Sequence, residues 1–486
     1  MSDAGLTPSP PAPPPSGAAP SAAPPPSGAA PSAASPPSGA APSAASPPSG
    51  AAPGRPGSGV PATAPADEPR LLYLHVIVAA LLGGFAVLGW FALYEWLNKK
   101  LWDNGFVSAH HWMFPVVCLP LSLAVGLLVK YWRAPSNLDG SMLDSLTGDV
   151  SRLQWKNLPV TVVQSLVSLF SGAVLGPEGA IGTISSKIAA FYCDLFRIPA
   201  RHRPKLVFTS VSSAYNGLLE SPVFTAVLGT EVSPDKAAWL ATLPATLIGG
   251  GIGYGIFLLV GSSGFANFLH LPPVQHYVAL DIVYVVLLAL VGIVLAVLTG
   301  LFMRVAAGLF GRFRERVVTR ALLAGVVFSV VGYFAPLVMF SGESQSKTLI
   351  ANAASYGVAL LGLIAVAKLA LLAVGFKSGF LGGPTFPLIF ASTAVALALN
   401  IVFPGIPVTI LVAGIMASAV YVVFRTPLMV VLLTGFMLDA TPDLTALIVL
   451  SVATAMIVAP QLQKLIAARL ARRQATPQKT TPQSPT

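Results

Sequence analysis

Apolar runs separated by short polar segments dominate the chain from about Leu71 to Ile466. Several runs reach the roughly 17 to 25 residues that an α-helix needs to cross a bilayer. The pattern therefore predicts an all-α polytopic membrane protein. The long spans that it predicts are residues 71–97, 113–132, 237–260, 277–303 and 320–340.

Two regions, residues 139–230 and residues 360–437, carry shorter apolar segments broken by glycine, proline and polar residues. Short, interrupted segments in corresponding places of two halves predict an inverted repeat, with the binding site where the halves meet. We assign the halves to residues 71–260 and 277–468. Two pairs of local sequences support this assignment: Leu175-Gly176-Pro177-Glu178 with Gly382-Gly383-Pro384-Thr385, and Glu220-Ser221-Pro222-Val223 with Arg425-Thr426-Pro427-Leu428.

The two ends of the chain lack these apolar runs. Residues 1–67 are mostly Pro, Ala, Ser and Gly, and an imperfect Ser-Gly repeat recurs within them. Such a composition has no apolar face to bury, so it predicts a disordered tail. We therefore expect a transmembrane domain over residues 68–470, followed by a polar C-terminal tail over residues 471–486.

Charge is scarce and lies at the edges of the apolar runs. Only 9% of the residues are charged, against about 25% in an average soluble protein. The net charge of +10 does not indicate nucleic-acid binding, because the cations cluster where polar loops border predicted spans. These clusters are residues 130–133, 197–205, 304–320 and 464–473.

Cysteine and histidine give no sign of a metal site. Cys118 and Cys193 have neither metal-ligand spacing nor a disulfide context, and the six histidines mostly flank apolar runs. We predict no metal and no cofactor.

Glu178 is the ionisable residue that the pattern singles out. It lies within an apolar run, where a carboxylate is costly and marks a functional site by default. Gly176 and Pro177 end the preceding helix, and proline suits the first turn of a new one. Glu178 would then lie at a helix N-terminus, where free N–H groups attract anions. A broken helix that presents a titratable carboxylate predicts an ion site with its own gate.

These segments resemble the CLC family of chloride channels and proton-coupled chloride antiporters, over roughly Leu71 to Arg473. Family proteins carry Gly-Lys/Arg-Glu-Gly-Pro where this chain has Gly176-Pro177-Glu178-Gly179-Ala180. The family motif Gly-x-Phe-x-Pro is similar to Gly383-Pro384-Thr385-Phe386-Pro387. A third motif, Gly-Ser-Gly-Ile-Pro, is represented by Gly140-Ser141-Met142-Leu143-Asp144.

The resemblance implies a CLC-type inverted repeat of long and broken helices, a two-fold homodimer in the cell membrane, and one anion pathway in each subunit. It also implies cytoplasmic termini. The C-terminal CBS domains of many eukaryotic members are expected to be absent, as in a divergent prokaryotic-type member.

Candidate anion-binding residues follow from the glycine-rich helix starts and the hydroxyl donors beside them. Glycine lets an ion approach backbone N–H groups, which bind an anion without a full positive charge. By the resemblance, Glu178 corresponds to the gating glutamate and Ser141 to the central ion-coordinating serine. A register shift of one residue would place Met142 there instead. The predicted anion-binding residues are Gly140, Ser141, Gly176, Gly179, Ala180, Gly383, Thr385 and Phe386.

Two departures from the family pattern keep the ion and the mechanism open. The inner proton-relay glutamate aligns with Val232, and Glu231 beside it is the candidate relay. No tyrosine follows Tyr421, so the family's ion-coordinating tyrosine is missing, and Gln461 or Gln463 could donate a hydrogen bond instead.

We expect transport of chloride or a related halide, either through a channel or by proton-coupled antiport, in a membrane-embedded homodimer. A fluoride/proton antiporter is the alternative. An intramembrane enzyme using Glu178 is a remote alternative, because the apolar runs show no partner nucleophile or metal cluster.

Overall fold

The computed structural model describes residues 68–135, 155–261, 264–265 and 268–475. The predicted N-terminal tail, residues 1–67, lies outside these ranges, and so do residues 476–486 of the C-terminal tail. The described residues form α-helices and short 3₁₀ turns without a named β-strand, which confirms the all-α prediction.

Eight α-helices are described in the first half of the chain. They are α1 (Glu68–Leu101), α2 (Gly105–Ala109), α3 (Met113–Trp132), α4 (Leu158–Phe170), α5 (Glu178–Leu195), α6 (Arg203–Leu218), α7 (Phe224–Val232) and α8 (Lys236–Val260).

A further eight α-helices follow in the second half. They are α9 (Leu280–Gly311), α10 (Val317–Phe334), α11 (Glu343–Ala351), α12 (Ala353–Ser378), α13 (Thr385–Val402), α14 (Val408–Phe424), α15 (Pro427–Leu438) and α16 (Pro442–Ala475).

Eight of the described helices are long and apolar enough to cross a membrane: α1, α3, α8, α9, α10, α12, α13 and α16. This confirms a multi-pass membrane protein. The prediction of a short segment at residues 360–376 is wrong, because α12 extends over 26 residues. Gly357 (φ +69°) kinks this helix near its start, where the sequence pattern gave no clear boundary.

Proline sets the start of the two helices that lie at corresponding places in the halves. Pro177 is the N-cap of α5 and Pro384 is the N-cap of α13. A proline here loses no intrahelical hydrogen bond, since the first N–H groups of a helix have no partner within it. The predicted Gly-Pro breaks are therefore real helix starts.

Helices α6 and α8 pack closely through glycine. A Cβ at Gly253 would collide with the backbone of Ser213, and a Cβ at Gly250 would collide with Asn216. This contact holds α6 in place, and α6 carries Tyr215 toward the first turn of α5.

Candidate anion site

The two Gly-Pro segments meet directly. Gly176 and Gly383 form an isolated antiparallel bridge, in which each N–H donates to the carbonyl oxygen of the other at 2.8 Å. A Cβ at either position would overlap the side chain of Glu178. Any side chain at either position would therefore displace the Glu178 carboxyl group. The bridge also brings the start of α5 against the start of α13.

The carboxylate of Glu178 lies at the N-terminus of the opposite helix. Its Oε1 accepts a hydrogen bond of 2.7 Å from the backbone N–H of Thr385, the first residue of α13. No Lys, Arg or His of the described residues forms an ion pair with it. The negative charge is therefore held by backbone N–H groups and the helix dipole, as an anion would be.

The second carboxylate oxygen of Glu178 is less well satisfied. Oε2 is buried and has no hydrogen-bond partner among the residues that the structure describes. Buried polar atoms are nearly always hydrogen-bonded, so an orphaned carboxylate oxygen calls for an explanation.

Tyr215 contacts Glu178 from α6. Its hydroxyl donates a 2.5 Å hydrogen bond to the backbone carbonyl of Glu178, and its side chain is 5% exposed. The sequence analysis assigned Tyr215 no role. A tyrosine within an apolar helix was visible in the sequence. Its position along the chain does not show which oxygen its hydroxyl contacts.

A cavity of about 230 Å³ lies beside Glu178. Its polar side chains are those of Glu178, Tyr215 and Thr385. The other lining residues are glycine, proline, leucine, methionine and phenylalanine, and they include Leu228 and Met429. The cavity is therefore apolar, with polar groups only where it adjoins the carboxylate.

The predicted site residues at the two helix starts are brought together. Gly176, Gly383 and Thr385 surround the Glu178 carboxylate, and Gly179 lines the cavity beside it. The ring of Phe386 packs against the rings of Phe265 and Phe268, with centroids 4.4 and 5.8 Å apart. The N–H of Ala180 donates to the carbonyl of Pro177 at 3.0 Å, so its role with an anion stays a prediction.

The third predicted segment lies outside the described residues. It comprises Gly140, Ser141 and Met142, so the choice of register between Ser141 and Met142 also stays open.

Glu231 contacts a different helix start. Its carboxylate accepts hydrogen bonds from the N–H groups of Leu428 (2.6 Å) and Met429 (2.9 Å), in the first turn of α15. It therefore caps α15, and no such contact joins it to Glu178. Met429 also lines the cavity. The cavity therefore extends from Glu178 to Met429, whose N–H is bound by Glu231.

Gln463, one of the suggested replacements for the missing tyrosine, is engaged elsewhere. Its side-chain oxygen accepts a 2.7 Å hydrogen bond from the guanidinium of Arg425.

Two lysines are buried elsewhere in the described part of the chain. Lys187 of α5 donates to the hydroxyl of Thr161 at 2.8 Å. Lys368 of α12, which sequence reasoning missed, donates to the carbonyls of Met339 and Phe340 at 2.9 and 3.0 Å. Its ammonium also lies 4.4 Å from the ring centre of Phe390 on α13. The sequence feature that could have revealed Lys368 is a lysine within an otherwise apolar stretch of α12.

The described residues contain no group of three or more His, Cys, Asp or Glu side chains that could hold a metal ion.

Comparison with known proteins gives a consistent result. The sequence model of the family described as voltage gated chloride channel matches residues 121–460, well over half of the chain. The chain is 24% identical over 324 residues to the "Putative ion-transport protein YfeO" of Escherichia coli (strain SMS-3-5 / SECEC), covering 65% of this chain and 74% of that protein. The same figures hold for the protein of that name from Shigella boydii serotype 4 (strain Sb227).

Solved structures show the same fold. A slow cyanobacterial Cl⁻/H⁺ antiporter matches with a TM-score of 0.68 and 18% identity, over 83% of this chain and 99% of that chain. A CLC-type fluoride/proton antiporter matches with a TM-score of 0.64 and 18% identity, over 82% of this chain and 98% of that chain.

Proposed function

Since the chain belongs to the voltage-gated chloride channel family, whose sequence model covers residues 121–460, we propose that it moves chloride or a related halide across a membrane, with Glu178 as the gate. One observation carries the gating role: the Glu178 carboxylate accepts the 2.7 Å hydrogen bond of the first N–H of α13. A helix N-terminus is an anion site, so the side chain occupies the place of the transported ion.

Protonation releases this arrangement. A neutral carboxyl group loses its attraction to the backbone N–H groups and dipole of α13, and a halide then takes its place. Partial charges suit this task, since an ion must bind well enough to enter and weakly enough to leave. No described cation pairs with Glu178 and holds the carboxylate in place.

Halide flux from liposomes tests this function. Vesicles containing the purified protein and loaded with chloride should release it when the counter-ion is allowed to move, and protein-free vesicles should not. Flux should depend on pH, because the gate is a carboxyl group. Protein-containing vesicles that retain every halide offered would rule the function out.

A fluoride/proton antiporter is the second candidate. Thr385 provides a hydroxyl where the chloride-type motif has phenylalanine, and no tyrosine follows Tyr421. A hydroxyl donor suits a small, strongly hydrated anion better than an aromatic ring does. Parallel flux assays with chloride and with fluoride decide between the candidates, and faster fluoride flux would favour the second.

Proton coupling would need a route from the interior of the cell to Glu178, and Glu231 is our candidate relay. The cavity supports this proposal, because it extends from Glu178 to Met429, whose N–H is bound by Glu231. An imposed halide gradient should then drive protons uphill in liposomes. Rapid halide flux without proton movement would instead identify a channel.

We further propose a homodimer in the cell membrane with cytoplasmic termini. The basic clusters at residues 130–133, 304–320 and 464–473 support this orientation, because cytoplasmic loops carry an excess of Lys and Arg. Lipid covers the exposed apolar side chains, such as Leu259 (88% exposed) and Phe334 (77%). Gly140 and Ser141 complete the proposed anion pathway. Cross-linking in native membranes tests the dimer, and tags at the two ends test the orientation.

A further inference from the structure

Resting on the proposed halide transport, we propose that Lys368 provides a buried positive charge that strengthens halide binding at the start of α13. Lys368 lies within α12, one of the candidate membrane spans, and its side chain is 0% exposed. Among the described residues, no Asp or Glu forms an ion pair with it. An ionisable side chain at membrane depth marks a functional site, and its charge calls for a partner. The transported halide is the counter-charge that this lysine lacks.

The contacts of the Lys368 Nζ are those of an ammonium group. Nζ donates to the carbonyl oxygens of Met339 and Phe340 at 2.9 and 3.0 Å, and it lies 4.4 Å from the ring centre of Phe390. An ammonium group has three N–H donors and no acceptor. Two carbonyls and the negative face of an aromatic ring match these donors. A neutral amine would direct its lone pair at one of these electron-rich groups, so the surroundings fit the charged form.

Phe390 places this charge beside the first turns of α13. It lies five residues after Thr385, which corresponds to about 7.5 Å along a helix axis. The N–H of Thr385 binds the Glu178 carboxylate at the position proposed for the halide. Lys368 and the N-terminus of α13 therefore attract the same anion. Because Lys368 does not touch that position, it strengthens binding without trapping the ion.

The turn that Lys368 holds also contacts the first half of the chain. The ring centres of Phe340 and Trp102 are 4.8 Å apart, and the indole N–H of Trp102 donates to the carbonyl of Phe170 at 3.2 Å. Phe170 is the last residue of α4, six residues before Gly176. Contacts therefore join Lys368 to both segments that meet at Glu178.

The acidic group next to this turn leaves the positive charge largely uncancelled at neutral pH. Glu343 follows the turn as the first residue of α11. Burial raises the pKa of Glu343 to about 8, so most of this carboxyl group is protonated at about pH 7. Besides Glu178, the charged side chains that interact with Glu343 are Glu95, Asp103 and Lys347. None of the four forms an ion pair with Lys368 in the described part of the chain.

Lys368→Gln separates the charge from the hydrogen bonds, because an amide keeps N–H donors for the turn and carries no charge. The halide concentration that gives half-maximal flux in liposomes should rise about tenfold. This is the effect of one charge roughly 12 Å away at an effective dielectric constant of about 20. Lys368→Met, which loses the charge and the donors, should show a similar rise.

Lys130→Gln is the matched control. Lys130 also lies over an aromatic ring, 5.0 Å from the ring centre of Tyr131, but it is exposed at the end of α3. Water and salt screen an exposed charge, so the half-saturating halide concentration should stay unchanged in this variant.

The outcomes separate this inference from the proposed function. Absence of halide flux in the unchanged protein contradicts the transport function itself. Flux with an unshifted half-saturating concentration in Lys368→Gln overturns the role of the charge and leaves transport intact. Impairment of Lys368→Met alone overturns it as well, because the hydrogen bonds to the turn would then be the whole contribution of Lys368.

The charge of Lys368 can also be measured without replacing this residue. In Lys187→Met protein labelled with ¹⁵N-lysine, Lys368 is the one buried lysine of the described residues, so its Nζ is the nitrogen shielded from exchange with water. We expect the chemical shift of an ammonium nitrogen from about pH 6 to about pH 8, below the ordinary lysine pKa of about 10.4. The chemical shift of a neutral amine would overturn the proposal.

Discussion

The carboxylate of Glu178 and the backbone N–H of Thr385 are 207 residues apart in the chain and 2.7 Å apart in space. Each belongs to the first residue of a helix, and the two helices come from opposite halves of the repeat. A carboxylate from one half is therefore bound by a helix start of the other half. Neither half alone forms the site.

Glu178→Gln should make halide flux independent of pH. The amide cannot acquire a negative charge, so it no longer competes with the halide for the N-terminus of α13. Flux from liposomes, measured over about pH 4 to pH 8, checks this, because that range includes the ordinary glutamate pKa of about 4.3. Glu315→Gln, at an exposed carboxylate between α9 and α10, is the control and should keep the normal pH profile. A variant that retains the unchanged pH profile would falsify the gating role.

Gly383→Ala should displace the gate. The added Cβ would overlap the Glu178 carboxyl group, and the carboxylate would lose its place beside the Thr385 N–H. We expect higher halide flux at neutral pH and weaker pH dependence. Gly300→Ala is the matched control, because a Cβ at Gly300 on α9 meets no atom within 4 Å. Equal behaviour of the two variants would show that the glycine is not needed for the gate.

Glu231 allows the capping and relay roles to be measured separately. Glu231→Ala removes both hydrogen bonds to the first turn of α15 and should cost about 1 kcal/mol of stability, as the loss of a helix cap does. Glu231→Gln keeps an acceptor oxygen and should be closer to the unchanged protein in thermal unfolding. If Glu231 relays protons, Glu231→Gln should also lose gradient-driven proton movement while halide flux continues. Undiminished proton movement in Glu231→Gln would exclude the relay role and leave only the capping role.

Glu343 should make the protein less stable at alkaline pH. It begins α11, which is not among the candidate spans, and burial raises the pKa of Glu343 to about 8, with a further contribution from Glu95. An unfolded glutamate titrates near about 4.3, so the folded state binds the proton more tightly. Stability should therefore fall as pH rises from about 4.3 to about 8.

Glu343→Gln tests this dependence, because it is neutral at every pH. The difference in thermal unfolding between about pH 5 and about pH 9 should shrink in this variant. Glu315→Gln again provides an exposed control. An unchanged difference in Glu343→Gln would contradict the prediction.

The start of α5 at Glu178 was predictable because its chemistry is local. Pro177 suits a helix start whatever surrounds it, and a glutamate at that start lies in an anion-attracting field. The prediction that Gly176 and Pro177 also end the preceding helix is wrong, because α4 already ends at Phe170. The pairing with Gly383 was predictable because the two halves repeat the same break.

The partners of Tyr215 and Lys368 were not predictable in this way. A phenol at 2.5 Å from the Glu178 carbonyl depends on how closely α6 packs against α5 and α8, which a single sequence does not state. Lys368 bonds to carbonyls that lie 28 and 29 residues away, with the whole of α11 between them in the chain. The capping of α15 by Glu231 is likewise a contact between distant segments.

The mutual hydrogen bonds of Gly176 and Gly383 restrict how the molecule can work. Swinging the two halves apart at this point would leave two N–H and two carbonyl groups without partners at membrane depth, where water does not replace them. We therefore expect the backbone beside Glu178 to stay in place during a transport cycle. We expect transport to require rotation of the Glu178 side chain about its own bonds, while the outer shape of the protein stays nearly constant.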